Sequence, residues 1–287
     1  MQINYISHDK IDFKRYDQTI EHSHFPTIYA LSWYLDIVTK KNWDVLVYGD
    51  YRYVMPVPYA RLKRNLMLKT VVQPMFCQQL GVFSSESNQD ILLAMVDKLK
   101  EKRITSYQLN ENLTSLLSNL NLRDNYILDL NQPYKAIYDD YRKDRKKDMR
   151  RGLGKNWKIK PIADVDSYMD LLLRHSDYLN ATSAQLLKEL LQALDKRNLL
   201  IGKEIRDNDG HWMAMAYWVK SFNRQILLTS VRHQEYDQRG AFANLIDAFV
   251  KDYANQSLIL DFEGSMIAGI ADFNASFGAE KKQLPII

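Results

Sequence analysis

The sequence predicts an α+β protein made of two domains of related design. Three observations carry this expectation. The chain has 287 residues, more than a single core usually organises. Segments of helical period alternate with short runs of strand character along its whole length. Each half also shows the same order: helices, a meander of strands, then a further helix and strand. The similarity is one of order, and no short-period repeat occurs.

In the first half, Pro26 to Thr39 sets Ile28, Leu31, Tyr34, Leu35 and Val38 on one helical face. Trp43 to Tyr48 and Tyr51 to Pro58 read as strands joined by a Gly49-Asp50 hairpin turn. Pro56 and Pro58 alternate, which places that strand at an edge or ends its pairing there. A loop-like segment, 73–89, precedes a helix marked by Ile91, Leu92, Met95 and Leu99, and Ile104 to Leu109 reads as a strand. The segment Asn110 to Asn125, rich in Asn, Leu and Ser, holds the boundary, giving domains at 1–122 and 123–287.

The second half opens with a strand at Tyr126 to Leu130 and a long helix striped by Tyr134, Tyr138 and Tyr141 that ends near Gly152 and Gly154. Trp157 to Ile162 is a strand, and Leu186, Leu187, Leu190, Leu191 and Leu194 mark a helix. Three strands follow, Leu199–Arg206, His211–Ser221 and Gln225–Val231, with Asn208-Asp209-Gly210 as a hairpin turn. Phe242, Leu245, Ile246, Phe249, Val250 and Tyr253 keep strict amphipathic spacing. Leu258-Ile259-Leu260 is a last strand, which runs into Asp261-Phe262-Glu263-Gly264-Ser265-Met266.

Composition is that of an ordinary globular protein, 46% hydrophobic and 26% charged. A formal charge of +4 favours anionic ligands weakly and does not imply nucleic acid. The N-terminus carries no signal-peptide core, and no apolar run is long enough to span a membrane. The single cysteine, Cys77, forms no internal disulfide, which fits a cytoplasmic location. His22 and His24 have no further ligand at metal spacing, so no metal is expected. Gly152 and Gly154 lack a third glycine and follow a helix, which excludes a dinucleotide fingerprint.

Three segments are candidates for chemistry. Arg239-Gly240-Ala241 precedes an amphipathic helix, where backbone N–H groups and a cation can receive an anion or simply start the helix. The run 142–151 holds seven cations, with Asp144 and Asp148 interleaved, and reads either as a solvated helix face or as a phosphate or nucleic-acid surface. Asp261 and Glu263 would face the same side of a continuing strand, where close carboxylates raise one pKa as a general base requires. Ser265 equally suits a helix cap. Tyr217, Trp218 and Tyr236 line a cleft or fill a core.

The polar strand end before Phe273, Phe277 and Gly278, together with Arg145, Lys146, Arg150 and Gly154, resembles FemAB-like members of the GNAT acyltransferase superfamily. Ala30 to Tyr34 and Gln73 to Gly81 are the matching patches of the first half. The resemblance implies tandem GNAT-like (acyl-CoA N-acyltransferase) domains, each a mixed, mostly antiparallel sheet flanked by helices. It implies transfer of an acyl or aminoacyl group to an amine without a covalent enzyme intermediate. Arg239, Gly240 and Ala241 would hold the anionic tail of an acyl-CoA donor, with backbone donors near 230–240 on its carbonyl. Glu263 or Asp261 would accept the amine proton, Tyr236 would protonate the leaving group, and Tyr217, Trp218, Ser265 and Asn274 would bind substrate. The acceptor would be a small-molecule or peptidoglycan-precursor-like amine, and tRNA is the further partner that family members suggest. Ala241, Phe242 and Ala243 stand where the family's loop carries its next glycine, and Asn274 and Ala275 where the family carries a lysine. The alternatives are a non-catalytic binding protein of the same fold and an RNA-binding protein working through 142–151.

Overall fold

The computed structural model describes residues 2–62, 65–117, 121–264 and 266–287. They divide into two compact units, Met1–Asp124 with Gln283–Ile287, and Asn125–Lys282.

The first unit is built on an antiparallel sheet ordered β1 (Ile3–Ile6), β2 (Trp43–Tyr48), β3 (Tyr53–Leu62), β4 (Asn65–Val71). Gly49, Asp50 and Tyr51 turn between β2 and β3 in left-handed conformations. β3 changes partner along its length: Tyr53–Pro58 pairs with β2 and Tyr59–Leu62 with β4. Pro56 and Pro58 therefore lie where only one flank carries a ladder, and the Pro56 carbonyl accepts from Tyr107 Oη at 2.7 Å. The helix expected over 26–39 is divided. Ile28–Ala30 is a 3₁₀ turn, Leu31 is extended, and α2 occupies Ser32–Thr39. The helix α1 (Phe13–Glu21), capped by Asp12 and burying Tyr16 and Ile20, was not legible in the pattern. α3 spans Gln89–Lys100 with Asn88 as its cap. The strand expected at 104–109 is replaced by isolated bridges at Ile104, Gln108 and Leu109.

The second unit carries a seven-stranded sheet ordered β11-β5-β10-β9-β8-β7-β6. The elements follow in sequence as β5 (Asn121–Asp129), α4 (Tyr134–Asp140), α5 (Lys143–Gly152), β6 (Lys158–Pro161), α6 (Val165–His175) and α7 (Ala181–Asp195). Next come β7 (Leu200–Arg206), β8 (Trp212–Ser221), β9 (Arg224–Arg232), α8 (Ala241–Tyr253), β10 (Ile259–Asp261), α9 (Ala268–Ala275) and β11 (Glu280–Ile286). The single long helix expected from Tyr134 is broken, because Tyr141 and Arg142 are extended between α4 and α5. Arg142 donates its backbone N–H to Ser276 O at 3.0 Å and its guanidinium to Asp272 at 2.5 and 2.8 Å, contacts a continuous helix would lose. α8 lays Leu245, Ile246, Phe249 and Val250 on the sheet, where Phe249 stacks on Trp218 at 4.2 Å. Each such buried side chain contributes about 1.5–3 kcal/mol of transfer free energy.

Candidate functional site

The site begins with two irregularities of β9. β10 runs parallel to β9 and pairs with it only over Ile259↔Arg224, Leu260↔Gln225 and Asp261↔Ile226, whereas β9 continues to Arg232. The two strands then part. On its other edge β9 pairs Leu227 with Trp218 and Thr229 with Tyr217, so Leu228 is an extra residue, a β-bulge at the parting point. The wedge between the strands opens into a cavity of about 660 Å³. Its walls come from β9 (Leu227, Thr229, Arg232), from the end of β10 (Phe262, Glu263) and from α9 (Asn274).

Two polar groups of the sequence reading meet there, and their surroundings differ. The strand does not continue past Asp261, so the two carboxylates do not share a face. Asp261 is 1% exposed, and its Oδ2 accepts from Arg224 at 2.9 Å. Its Oδ1 accepts the Glu263 backbone N–H at 2.9 Å. Glu263 takes a left-handed turn with φ of 57°, a conformation that costs a non-glycine residue about 1–2 kcal/mol. The Asp261 contact and the Tyr126 N–H, donated to Glu263 O at 3.3 Å, hold it there. The turn delivers Glu263 to the cavity wall and leaves Asp261 behind it. Asn274 is 3% exposed and lines the same cavity, and its side-chain amide makes no hydrogen bond to any other described residue. Phe242 stacks on Phe273 at 5.3 Å to form an aromatic wall, and the Arg232 guanidinium sits 5.5 Å from the Phe242 ring.

The remaining expected residues lie off the cavity lining. Trp218 is core against Phe249, and Tyr217 packs edge-on to Tyr168 at 4.7 Å on the opposite face of β8. Tyr236 stacks on His211 at 4.1 Å. Ser265 lies outside the described residues. Gly240, with φ of 92°, lets α5 approach α8: a Cβ there would stand 2.9 Å from Asp148 O. The Ala241 N–H donates to Gln238 O at 2.8 Å, and Arg239, largely exposed, has Asp148 Oδ1 at 3.6 Å. The start of α8 thus faces a carbonyl and a carboxylate of this chain.

The basic run is neither uniformly solvated nor uniformly free. Arg145 is buried, lies 4.4 Å from Phe273 and 5.0 Å from Phe277, and donates to Ser276 Oγ at 2.8 Å. A desolvated cation–π pair of this kind contributes about 2 kcal/mol. Arg145 and Arg142 tie α5 to α9 and so fix the helix that carries Asn274. Lys143, Lys147 and Arg150 form the exposed stripe.

Sequence reasoning missed Thr229, Tyr178 and Arg232. The bulge that exposes Thr229 leaves no mark in a strand pattern. Tyr178 sits between α6 and α7, and α6 itself was unread although Asp164 caps it and Val165, Tyr168, Met169 and Leu172 are spaced for burial. Among the described residues no helix is long and apolar enough to cross a membrane.

No protein-family model matches the chain, and no curated protein sequence matches it. Solved structures do. FemX superposes with a TM-score of 0.70 at 10% identity, covering 99% of this chain and 96% of that one. A tandem GNAT protein from the clavulanic acid biosynthesis pathway gives 0.52 at 12% identity, covering 99% and 97%. L-PGS from Bacillus licheniformis gives 0.54 at 9% identity, covering 95% and 90%. With two helix-flanked sheets dominated by antiparallel pairing, this chain has the FemAB-like tandem GNAT fold.

Proposed function

We propose that the protein transfers an acyl or aminoacyl group directly to an amine in the β9–β10 wedge. The observation that carries this reading is that Glu263 and Asn274, whose side-chain amide has no hydrogen-bond partner among the described residues, line one cavity beside a strand edge that has lost its neighbour. The amine nitrogen attacks the acyl carbonyl carbon and forms the C–N bond. Glu263 takes the amine proton and returns it to the leaving group as the C–O or C–S bond breaks. Asn274 orients a neutral polar group of the substrate, and Arg232 offers a cation near the mouth.

The start of α8 argues for a donor other than coenzyme A. A pyrophosphate there would meet Asp148 O and the Asp148 carboxylate, and the Ala241 N–H is already used. An aminoacyl ester, which brings no pyrophosphate to that loop, is the donor this reading favours over an acyl-CoA. The acceptor in this reading is the amine of a small molecule or of a peptidoglycan-precursor-like compound, as the sequence resemblance implies.

The test uses glycyl, alanyl, lysyl and acetyl thioesters of N-acetylcysteamine, with acetyl-CoA alongside, and hydroxylamine as a generic amine. Hydroxamate formation is the readout. At least one small thioester should turn over faster than acetyl-CoA, and Glu263→Gln should lower kcat by about 10²-fold or more. Equal hydroxamate formation by the wild type and Glu263→Gln with every donor would sink the reading.

A further inference from the structure

A cluster of three hydroxyls stands at the parting of β9 and β10. Tyr168 Oη, from α6, lies 2.9 Å from Thr229 Oγ1, and Tyr178 Oη lies 3.0 Å from the same atom. Neither phenol has another hydrogen-bond partner among the described residues, and Tyr168 is 0% exposed. Three hydroxyl protons thus serve two hydrogen bonds, and one proton is left over. It is not that of Tyr168, because a buried donor with no acceptor costs about 1–3 kcal/mol. Between the other two, the phenol is the better donor and the alcohol oxygen the better acceptor, since phenol lone pairs delocalise into the ring. A threonine oxygen accepts two hydrogen bonds. Both tyrosines therefore donate to Thr229, whose own proton is left to point elsewhere.

The bulge decides where. Residues two apart on a regular strand share a face. Here Leu227 packs into the core with Trp218, whereas Thr229 turns to the aromatics of α6 across the sheet. Leu228 separates them, so Thr229 stands in the gap β10 vacates, 6% exposed and lining the cavity. We propose that Thr229 is a catalytic hydrogen-bond donor to the acyl carbonyl oxygen, with Tyr168 and Tyr178 positioning and polarising its hydroxyl. The proposal rests on the acyl-transfer reading above. As the amine attacks, the carbonyl π pair moves onto oxygen, and the Thr229 O–H holds that charge without surrendering its proton. Collapse restores the C=O bond and expels the leaving group, which takes the proton held by Glu263. A preorganised donor of this kind is worth about 10²–10³-fold in kcat.

The hydroxamate assay, with the best thioester of the panel, tests this on the full chain. Thr229→Val, which keeps shape and removes the hydroxyl, should lower kcat by about 10²-fold or more with KM changed less than about threefold. Thr229→Ser should recover activity to within about tenfold of wild type, which separates hydroxyl loss from misfolding. Tyr168→Phe and Tyr178→Phe should each cost less than Thr229→Val. Thr229→Val turning over like wild type while Glu263→Gln is inactive overturns the Thr229 assignment and leaves the transferase reading standing. A larger loss for Tyr178→Phe than for Thr229→Val also overturns it, since the outgoing proton would then be that of Tyr178. Equal activity of wild type and Glu263→Gln overturns both.

Discussion

Replacing Asp261 by Asn tests whether the turn that presents Glu263 is held by a buried ion pair. The substitution preserves shape, and the amide oxygen still accepts the Glu263 N–H. What it removes is the charge facing Arg224, 2.9 Å away in a site where Asp261 is 1% exposed. Breaking a buried pair from one side typically costs about 3–5 kcal/mol, because the surviving charge stays desolvated. The Arg224 side chain retains some solvent access, which sets the expectation at the low end, about 3 kcal/mol. For a domain of this size each kcal/mol shifts Tm by about 2–4 °C, so the variant should melt roughly 6–12 °C lower. Thermal unfolding followed by circular dichroism measures it. In a double-mutant cycle with Arg224→Met, the two losses should fall short of additivity by at least about 1 kcal/mol. A Tm within about 1 °C of wild type, or strict additivity, would show that the pair does not hold the turn.

Gly240→Ala should destabilise the second unit by about 1–2 kcal/mol, since alanine must take φ of 92° with its Cβ 2.9 Å from Asp148 O; an unchanged denaturation midpoint would contradict the tight α5–α8 approach. Arg145→Lys keeps the charge but not the planar contact with Phe273 and Phe277, and a loss of about 1–2 kcal/mol in urea unfolding is expected. Burial and the nearby His175 and His211 hold the His233 pKa below its usual value. The unfolded chain then binds more protons than the native one as pH falls through about 6.5, so this histidine's contribution to stability is full above that pH and is lost below it. Half-buried Asp237 and Asp247, whose pKa values are raised by desolvation, contribute with the opposite sign, so the comparison is between variants. Tm should fall less between pH 7.5 and 5.5 in His233→Gln than in wild type, and identical slopes would count against it.

Much of the architecture was legible because it depends on period. The strands β7, β8 and β9 and the helix α8 follow from alternation and amphipathic spacing that tertiary structure leaves undisturbed. The break between α4 and α5 was not legible, because Tyr141 and Arg142 leave the helix to meet Asp272 and Ser276, far along the chain. The same limit applied at the site. Glu263 and Asn274 stood out as polar residues at a strand end and in a family motif, and both line the cavity. Asp261 stood out equally, yet a left-handed turn at Glu263 separates the two carboxylates, and no residue type at 263 announces that turn. Arg239 and Gly240 looked like an anion site because glycine at a helix start permits one. It also permits a neighbouring helix, and α5 takes the space. Thr229 became visible only through the register shift of β9 against β8.

The central claim is that the wedge between β9 and β10 is where the acyl group sits. A crystal structure with a non-reactive ketone analogue of the best aminoacyl thioester tests it most directly. The account predicts the carbonyl oxygen within hydrogen-bond distance of Thr229 Oγ1, with Glu263 and Asn274 alongside. Occupancy at the start of α8, or in the polar hollow of about 430 Å³ lined by Asp129, Asp140 and Glu280, with the wedge left empty, would contradict it.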